Sequence, residues 1–133
     1  MGDRGCPCRD QGGVVLSDYR VVLVTTPSSK EAKKIATSLL EQRLCACVNI
    51  LPKMSSYFHW QGKIEKAKEC LLIIKTKKKL FKDLCEQIKT LHSYSVPEVI
   101  SLSVEEGSVS YLDWIDTALD CQKVKHKRRP RTK

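Results

Sequence analysis

Residues 46–76 read ACVNILPKMSSYFHWQGKIEKAKECLLIIKT, and this stretch decides the fold. It opens on an apolar run, Ala46 to Leu51, which Pro52 interrupts. Extended, aromatic-rich character resumes from Ser55 to Trp60 and ends at the turn signal Gln61-Gly62. Cys70 to Ile74 is the most continuous apolar run in the chain and reads as a central strand. Two strands joined at Gln61-Gly62 make a hairpin of about 30 residues, where single strands usually run to about 5–6. A small domain cannot cover such a hairpin by itself. Its projecting end needs a partner, or it becomes an edge-pairing hazard.

Working outward, Val21 to Val24 is a β-branched run too short for a helix, and it stops at Thr25-Thr26-Pro27. Ser28 with Glu31 three residues later is a capping box. Ala32, Ile35, Ala36, Leu39 and Leu40 then form one apolar helical stripe. Downstream of the hairpin, Leu80, Leu84, Ile88 and Leu91 give a second helix. Lys77, Lys78, Lys79 and Lys82 near its start oppose the helix dipole, so packing has to hold that end. Val96-Pro97 breaks the pattern, Val99 to Val104 is a fourth strand, and Gly107 closes it. Ser110 can cap a third helix with Asp113 in its first turn and Leu112, Ile115 and Leu119 on one side. The order is βαββαβα. Two right-handed βαβ halves make an α+β, ferredoxin-like sandwich with its helices on one face and an extended hairpin between its second and third strands.

A chain of 133 residues can bury one core. Nowhere does it approach the roughly 18 consecutive apolar residues of a membrane-spanning helix, so membrane insertion is not expected. Met1 to Gly13 lacks the apolar core of a secretory signal. Seven cysteines are an odd count without paired CxxC spacing, which speaks against both a disulfide framework and a structural zinc site. Cys47, Cys70 and Cys85 fall among apolar or periodic residues, where a thiol behaves as a small hydrophobe, and Cys6-Pro7-Cys8 reads either as a soft-metal clip or, on a flexible terminus, as incidental thiols. The expected location is cytoplasmic. Net charge is +9, but seven Lys or Arg and no acid lie between Gln122 and Lys133, leaving +2 elsewhere. The expected organisation is a flexible N-terminal segment over 1–18, a folded domain over 19–120 and a disordered basic tail over 121–133.

This topology hosts many functions. An RNA-recognition domain stacks bases on aromatic central strands, whereas Cys70 to Ile74 is aliphatic; nucleic acid is left to non-specific attraction by the tail. A soft-metal chaperone wants two thiolates in the first strand-to-helix loop, and an acylphosphatase wants a glycine-rich cradle with an Arg. Thr26-Pro27-Ser28-Ser29 supplies neither. With no Ser-His-Asp, HExxH or P-loop pattern, the chain does not read as an enzyme.

Four segments in register resemble the CutA divalent-cation-tolerance family in its animal-type form. They are Ala46-Cys47-Val48-Asn49, Trp60-Gln61-Gly62-Lys63-Ile64, Ile74-Lys75-Thr76, and His92-Ser93-Tyr94-Ser95-Val96-Pro97-Glu98-Val99, with Tyr111-Leu112-Asp113-Trp114 behind them. The resemblance covers about Arg20 to Leu119. It implies a homotrimer whose long hairpins pair with neighbouring subunits, and a role in copper binding and metal tolerance. It also leaves open a trimeric adaptor that assists maturation or localisation of another protein such as acetylcholinesterase, and a small-metabolite sensor like the PII signalling proteins. The chain departs from the family pattern at Ser93, where Pro is usual, at Ser95, at Phe58 and at Val24.

For His92, at the end of the second helix, two roles stand side by side: a helix-terminal imidazole whose partial charge the dipole favours, or a ligand for weakly held copper or zinc helped by Glu98 and Cys47. His59 and His126 lie too far off in the pattern to join it. Trp60, Tyr94 and Trp114 are expected at a subunit interface. Lys63 and Lys75 are expected to be solvated, or to line an intersubunit pocket if a cleft brings them near His92 and Glu98. No cofactor is required.

Overall fold

The computed structural model describes residues 18–120; the expectations for the N-terminal segment and the basic tail, Cys6, Cys8 and His126 among them, lie outside the described residues. The elements are β1 (Tyr19–Thr26), α1 (Ser29–Glu41), β2 (Cys47–Trp60), β3 (Lys63–Lys77), α2 (Phe81–Leu91), β4 (Val99–Ser103) and α3 (Val109–Leu119). This is the expected βαββαβα order, with a four-stranded sheet in the order β2-β3-β1-β4. All three strand pairings are antiparallel. The fold is ferredoxin-like.

Strand alternation sorts the sheet into two faces. Val22, Val24, Cys70, Leu72 and Ile74 point to one side and are buried against Ala32, Ile35 and Leu39 of α1 and Leu84 and Ile88 of α2. That layer is the main core. α1 begins as its sequence dictates, with Ser28 Oγ accepting the Glu31 N–H at 3.2 Å. It ends in a Schellman-type turn: Arg43 N donates to Leu40 O, and Leu44 N to Leu39 O. Arg43 takes the left-handed position usually given to Gly (φ 58). Its guanidinium then reaches across to donate to Ala118 O at 2.8 Å, tying the ends of α1 and α3 together.

The hairpin is longer than its two apolar ends suggest. β2 and β3 stay paired from Cys47↔Lys75 to Trp60↔Lys63, with one register shift between Leu51 and Met54. Pro52 and Lys53 cause the shift. Proline cannot donate to the ladder, Lys53 adopts φ 62, and the result is a β-bulge within a continuous strand. At the tip Gln61 (φ 49) and Gly62 (φ 79) are both left-handed, as a type I′ hairpin turn requires.

Three details differ from expectation. α3 is capped by Ser108, whose Oγ accepts from Tyr111 N, so Ser110 lies inside the helix and Asp113 beyond its first turn. A 3-10 turn over Lys78–Leu80 precedes α2 and takes up two of the lysines expected at its start. The helices do not all share one face. Leu112 and Ile115 of α3 pack on Tyr19, whose side chain alternates with Val22 and Val24 and so belongs to the opposite side of the sheet.

Candidate functional site

Where β1 runs into α1, the connection between α2 and β4 folds back over the junction. His92 closes α2 by donating its N–H to Ile88 O at 2.9 Å and then turns to extended backbone. Its side chain is fully buried. Nε2 lies 2.7 Å from Thr25 O, and Nδ1 accepts the Tyr94 N–H at 3.0 Å. A carbonyl only accepts and an amide N–H only donates, so these partners assign the ring hydrogen to Nε2. Glu31 Oε2 stands 3.3 Å from Nδ1, held there by Ser93 N at 2.9 Å and Ser93 Oγ at 3.2 Å. The capping box is thus half formed. The Glu31 amide caps on Ser28, but its carboxylate holds the far loop.

Tyr94 continues the network. Its ring packs 4.9 Å from His92, and its hydroxyl donates to Glu69 Oε2 at 2.8 Å. Burial first, then the hydrogen bond to Glu69 with that carboxylate's charge and that of Glu31, pushes the Tyr94 phenol up to about 12. Thr25, Glu31, Glu69, His92, Ser93 and Tyr94 therefore satisfy one another. Such a network pins a loop and keeps its buried polar groups partnered.

The candidate ligands do not converge. Glu98 is exposed and makes no hydrogen bond with His92. Cys47 pairs with Lys75, whereas the strand position beside His92 is Thr25↔Leu71; four residues along β3 separate the two, about 13 Å at the rise of a strand. Among the described residues no group of three His, Cys, Asp or Glu is placed to hold a metal ion. Lys75 instead donates to Asn49 Oδ1, with its Nζ 3.9 Å from Cys47 Sγ. Lys63 and Trp60 stand exposed at the hairpin tip, far from His92. Trp114 packs beside the Tyr19 cluster and 5.6 Å from the Tyr111 ring, and Tyr94 is taken up inside its own chain. Glu31, Glu69 and Thr25 were not among the residues expected from sequence.

The second notable surface is the sheet face turned away from α1 and α2. Register places Leu51 beside Leu71, Asn49 beside Ile73, Leu23 and Ile100, and Cys47 beside Lys75, Val21 and Leu102. Leu51, Ile100 and Leu102 are 47, 49 and 48% exposed, so α3, which packs at the Tyr19 end of this face, leaves the rest of it open. Tyr57, Phe58, Trp60 and Ile64 extend the exposed apolar surface along the hairpin.

A ferredoxin-like sheet with an open apolar face and a projecting hairpin defines a class of small α+β proteins. Residues 20–118 match the family described as CutA1 divalent ion tolerance protein, and the chain belongs to that family. It is 47% identical over 95 residues to the divalent-cation tolerance protein CutA of Thermus thermophilus, covering 71% of this chain and 92% of that one. It is 43% identical over 110 residues to human Protein CutA, spanning 82% of this chain and 62% of the human protein's length. Among solved structures, CutA1 from Oryza sativa superposes with a TM-score of 0.75 at 41% identity, over 77% of this chain and 94% of that one. No described helix is long and apolar enough to cross a membrane.

Proposed function

We propose that the protein works as a non-enzymatic homotrimer in divalent-cation tolerance. The observation that carries the reading is the open sheet face, on which Leu51, Ile100 and Leu102 are exposed and Val21, Leu23 and Ile73 half-buried. A contiguous apolar face of this kind marks an association surface, and a closed cyclic assembly covers it without leaving a free copy of the same surface. The hairpin, too long for one domain to cover, fits the same assembly. A cytoplasmic location fits the thiols: Cys45, Cys47, Cys70 and Cys85 are all free, as expected of a reducing compartment.

Copper or zinc is read here as weakly held cargo. His92 reaches a metal only by giving up Thr25 O or the Tyr94 N–H, and that cost favours low affinity over a preformed site. The adaptor and metabolite-sensor readings rest on the same trimer, and nothing in the geometry favours them over it. Leu102→Glu tests the carrying observation. At a solvent-facing position the substitution is worth less than about 0.5 kcal/mol; in a covered face it buries a carboxylate among apolar neighbours and dissociates the assembly. A Leu102→Glu protein with unchanged mass in solution would remove this face as the interface.

A further inference from the structure

The two helices that cover the main core carry a charge pattern on their outer side. Lys30, Lys33 and Lys34 lie on α1, and Lys78, Lys79, Lys82 and Lys89 lie on α2 and the turn before it, with no arginine in either segment. All seven are exposed. Among the described residues none of them forms an ion pair, whereas Lys77 pairs with Asp116 at 2.7 Å. The acids of the same segments are Glu31, Glu41, Asp83 and Glu86, so seven charges against four leave +3. Glu31 contributes little to the outer surface, because its carboxylate is turned in to Ser93 and His92. The helices run antiparallel, as the Gln87–Ser38 and Ser93–Glu31 contacts require. Lys30, Lys33 and Lys34 therefore share one end of the layer with Lys89, and Lys78, Lys79 and Lys82 occupy the other.

Across the sheet the sign reverses. From Thr90 to Asp120 there are six acids and no Lys or Arg. α3, which carries Asp113 and Asp116 and ends at Asp120, packs on the side of the sheet away from α1 and α2. The domain is polarised, positive on its two-helix side and negative on its α3 side.

We propose that the outer face of α1 and α2 is a docking surface for an anionic phospholipid bilayer, held by charge at the head groups. A cluster of four to eight lysines is the size that an acidic leaflet attracts. Lysines are point charges without the fork of arginine, which suits a diffuse field of head groups better than one fixed phosphate. Leu40 is the one large apolar side chain exposed on these helices, so the contact rests on charge and not on burial in the acyl region. The polarity sets the orientation. A helix alone is about 10 Å across, more than the screening length of about 8 Å at physiological salt, so the acidic side lies beyond the reach of the bilayer's field. Nucleic acid fits the face less well. Two helices side by side are too broad for a major groove that admits one, and Phe81, the sole aromatic of the pair, packs against the core where no base can stack on it. The face lies across the sheet from the surface proposed for association, so a trimer presents it three times.

The test uses the full-length protein and vesicles of phosphatidylcholine with or without phosphatidylserine. Sedimentation should show binding to the phosphatidylserine vesicles alone, and high salt should release it. Acetylation of the bound protein, mapped by mass spectrometry, should find the seven lysines protected while Lys63, Lys66 and Lys68 of the hairpin react as in the free protein. Lys34→Ala, Lys82→Ala and Lys89→Ala combined should weaken binding about a hundredfold at low salt, about fivefold for each lysine, with the mass in solution unchanged. No binding at low salt would overturn the proposal, as would a triple variant that binds like wild type. Protection confined to the lysines of residues 123–133 would assign the attraction to the tail and overturn it too. Tighter binding to duplex DNA than to the vesicles, with the same lysines protected, would give the face to nucleic acid instead. The wild-type acetylation map decides the question even if the variant does not fold, and it is independent of the oligomeric state.

Discussion

The Tyr94 hydroxyl donates to Glu69 Oε2 at 2.8 Å across 25 residues of sequence, fastening the α2–β4 connection to the middle of the hairpin. Together with His92 on Thr25 O and Ser93 on Glu31, it holds the loop at three successive residues.

Tyr94→Phe removes the donor and leaves a buried carboxylate short of a partner. A loss of about 1–3 kcal/mol is expected, read as a lower denaturant midpoint at pH 7. The pH dependence follows from the raised phenol. A tyrosine whose folded pKa is about 12, against about 10 unfolded, contributes stability that is fully present below pH 10 and is lost as pH rises from 10 through 12. Wild type should therefore lose more stability than Tyr94→Phe over that window. Parallel curves for the two proteins would show that the phenol is not held protonated by the fold.

The hairpin turn makes a separate claim on the backbone. Gly62 has φ 79 and open space around the position a Cβ would take, so Gly62→Ala tests conformation alone. It should cost about 1 kcal/mol. Gln61→Asn, which suits the neighbouring left-handed position better, should raise the melting temperature. Thermal unfolding of both variants checks the pair, and a neutral Gly62→Ala would argue against a type I′ turn.

His92→Ala separates the two roles offered for this side chain. As a structural residue, its loss leaves Thr25 O and the Tyr94 N–H without their partner, at about 1–3 kcal/mol. As a ligand, its loss also weakens copper or zinc binding. Calorimetric titration under reducing conditions, with residues 1–13 removed from both proteins, should show weak binding by wild type that falls in the variant. Equal affinity would leave His92 the structural role alone.

Much of the architecture was legible because it rests on periodicity: the stripe of α1, the runs of β1 and β3, and the Gln61-Gly62 turn. The third helix was misplaced by two residues because Ser108 and Ser110 are equally good caps in sequence, and only the backbone decides which oxygen reaches Tyr111 N. Its side of the sheet was missed because Tyr19 precedes the Val21–Val24 run and gives no apolar signal of its own. Of the candidate site, what the sequence made legible was the helix-terminal position of His92, which ends a periodic helix ahead of Pro97. Its partners were not. Glu31 was already accounted for as half of a capping box, and Glu69 follows Glu65-Lys66-Ala67-Lys68, whose alternating charges read as a solvated surface. The bare face did leave a trace: Cys70 to Ile74 is apolar on both sides, the pattern of a strand covered twice, yet the chain's helices cover it only once.

The mass of the intact protein in solution tests the central claim most directly. Light scattering on the full chain at micromolar concentration should give about three times the 15.1 kDa chain mass, as closed threefold symmetry demands. A well-folded species at the mass of a single chain would contradict it, because the bare sheet face and the hairpin would then have to remain stable in water.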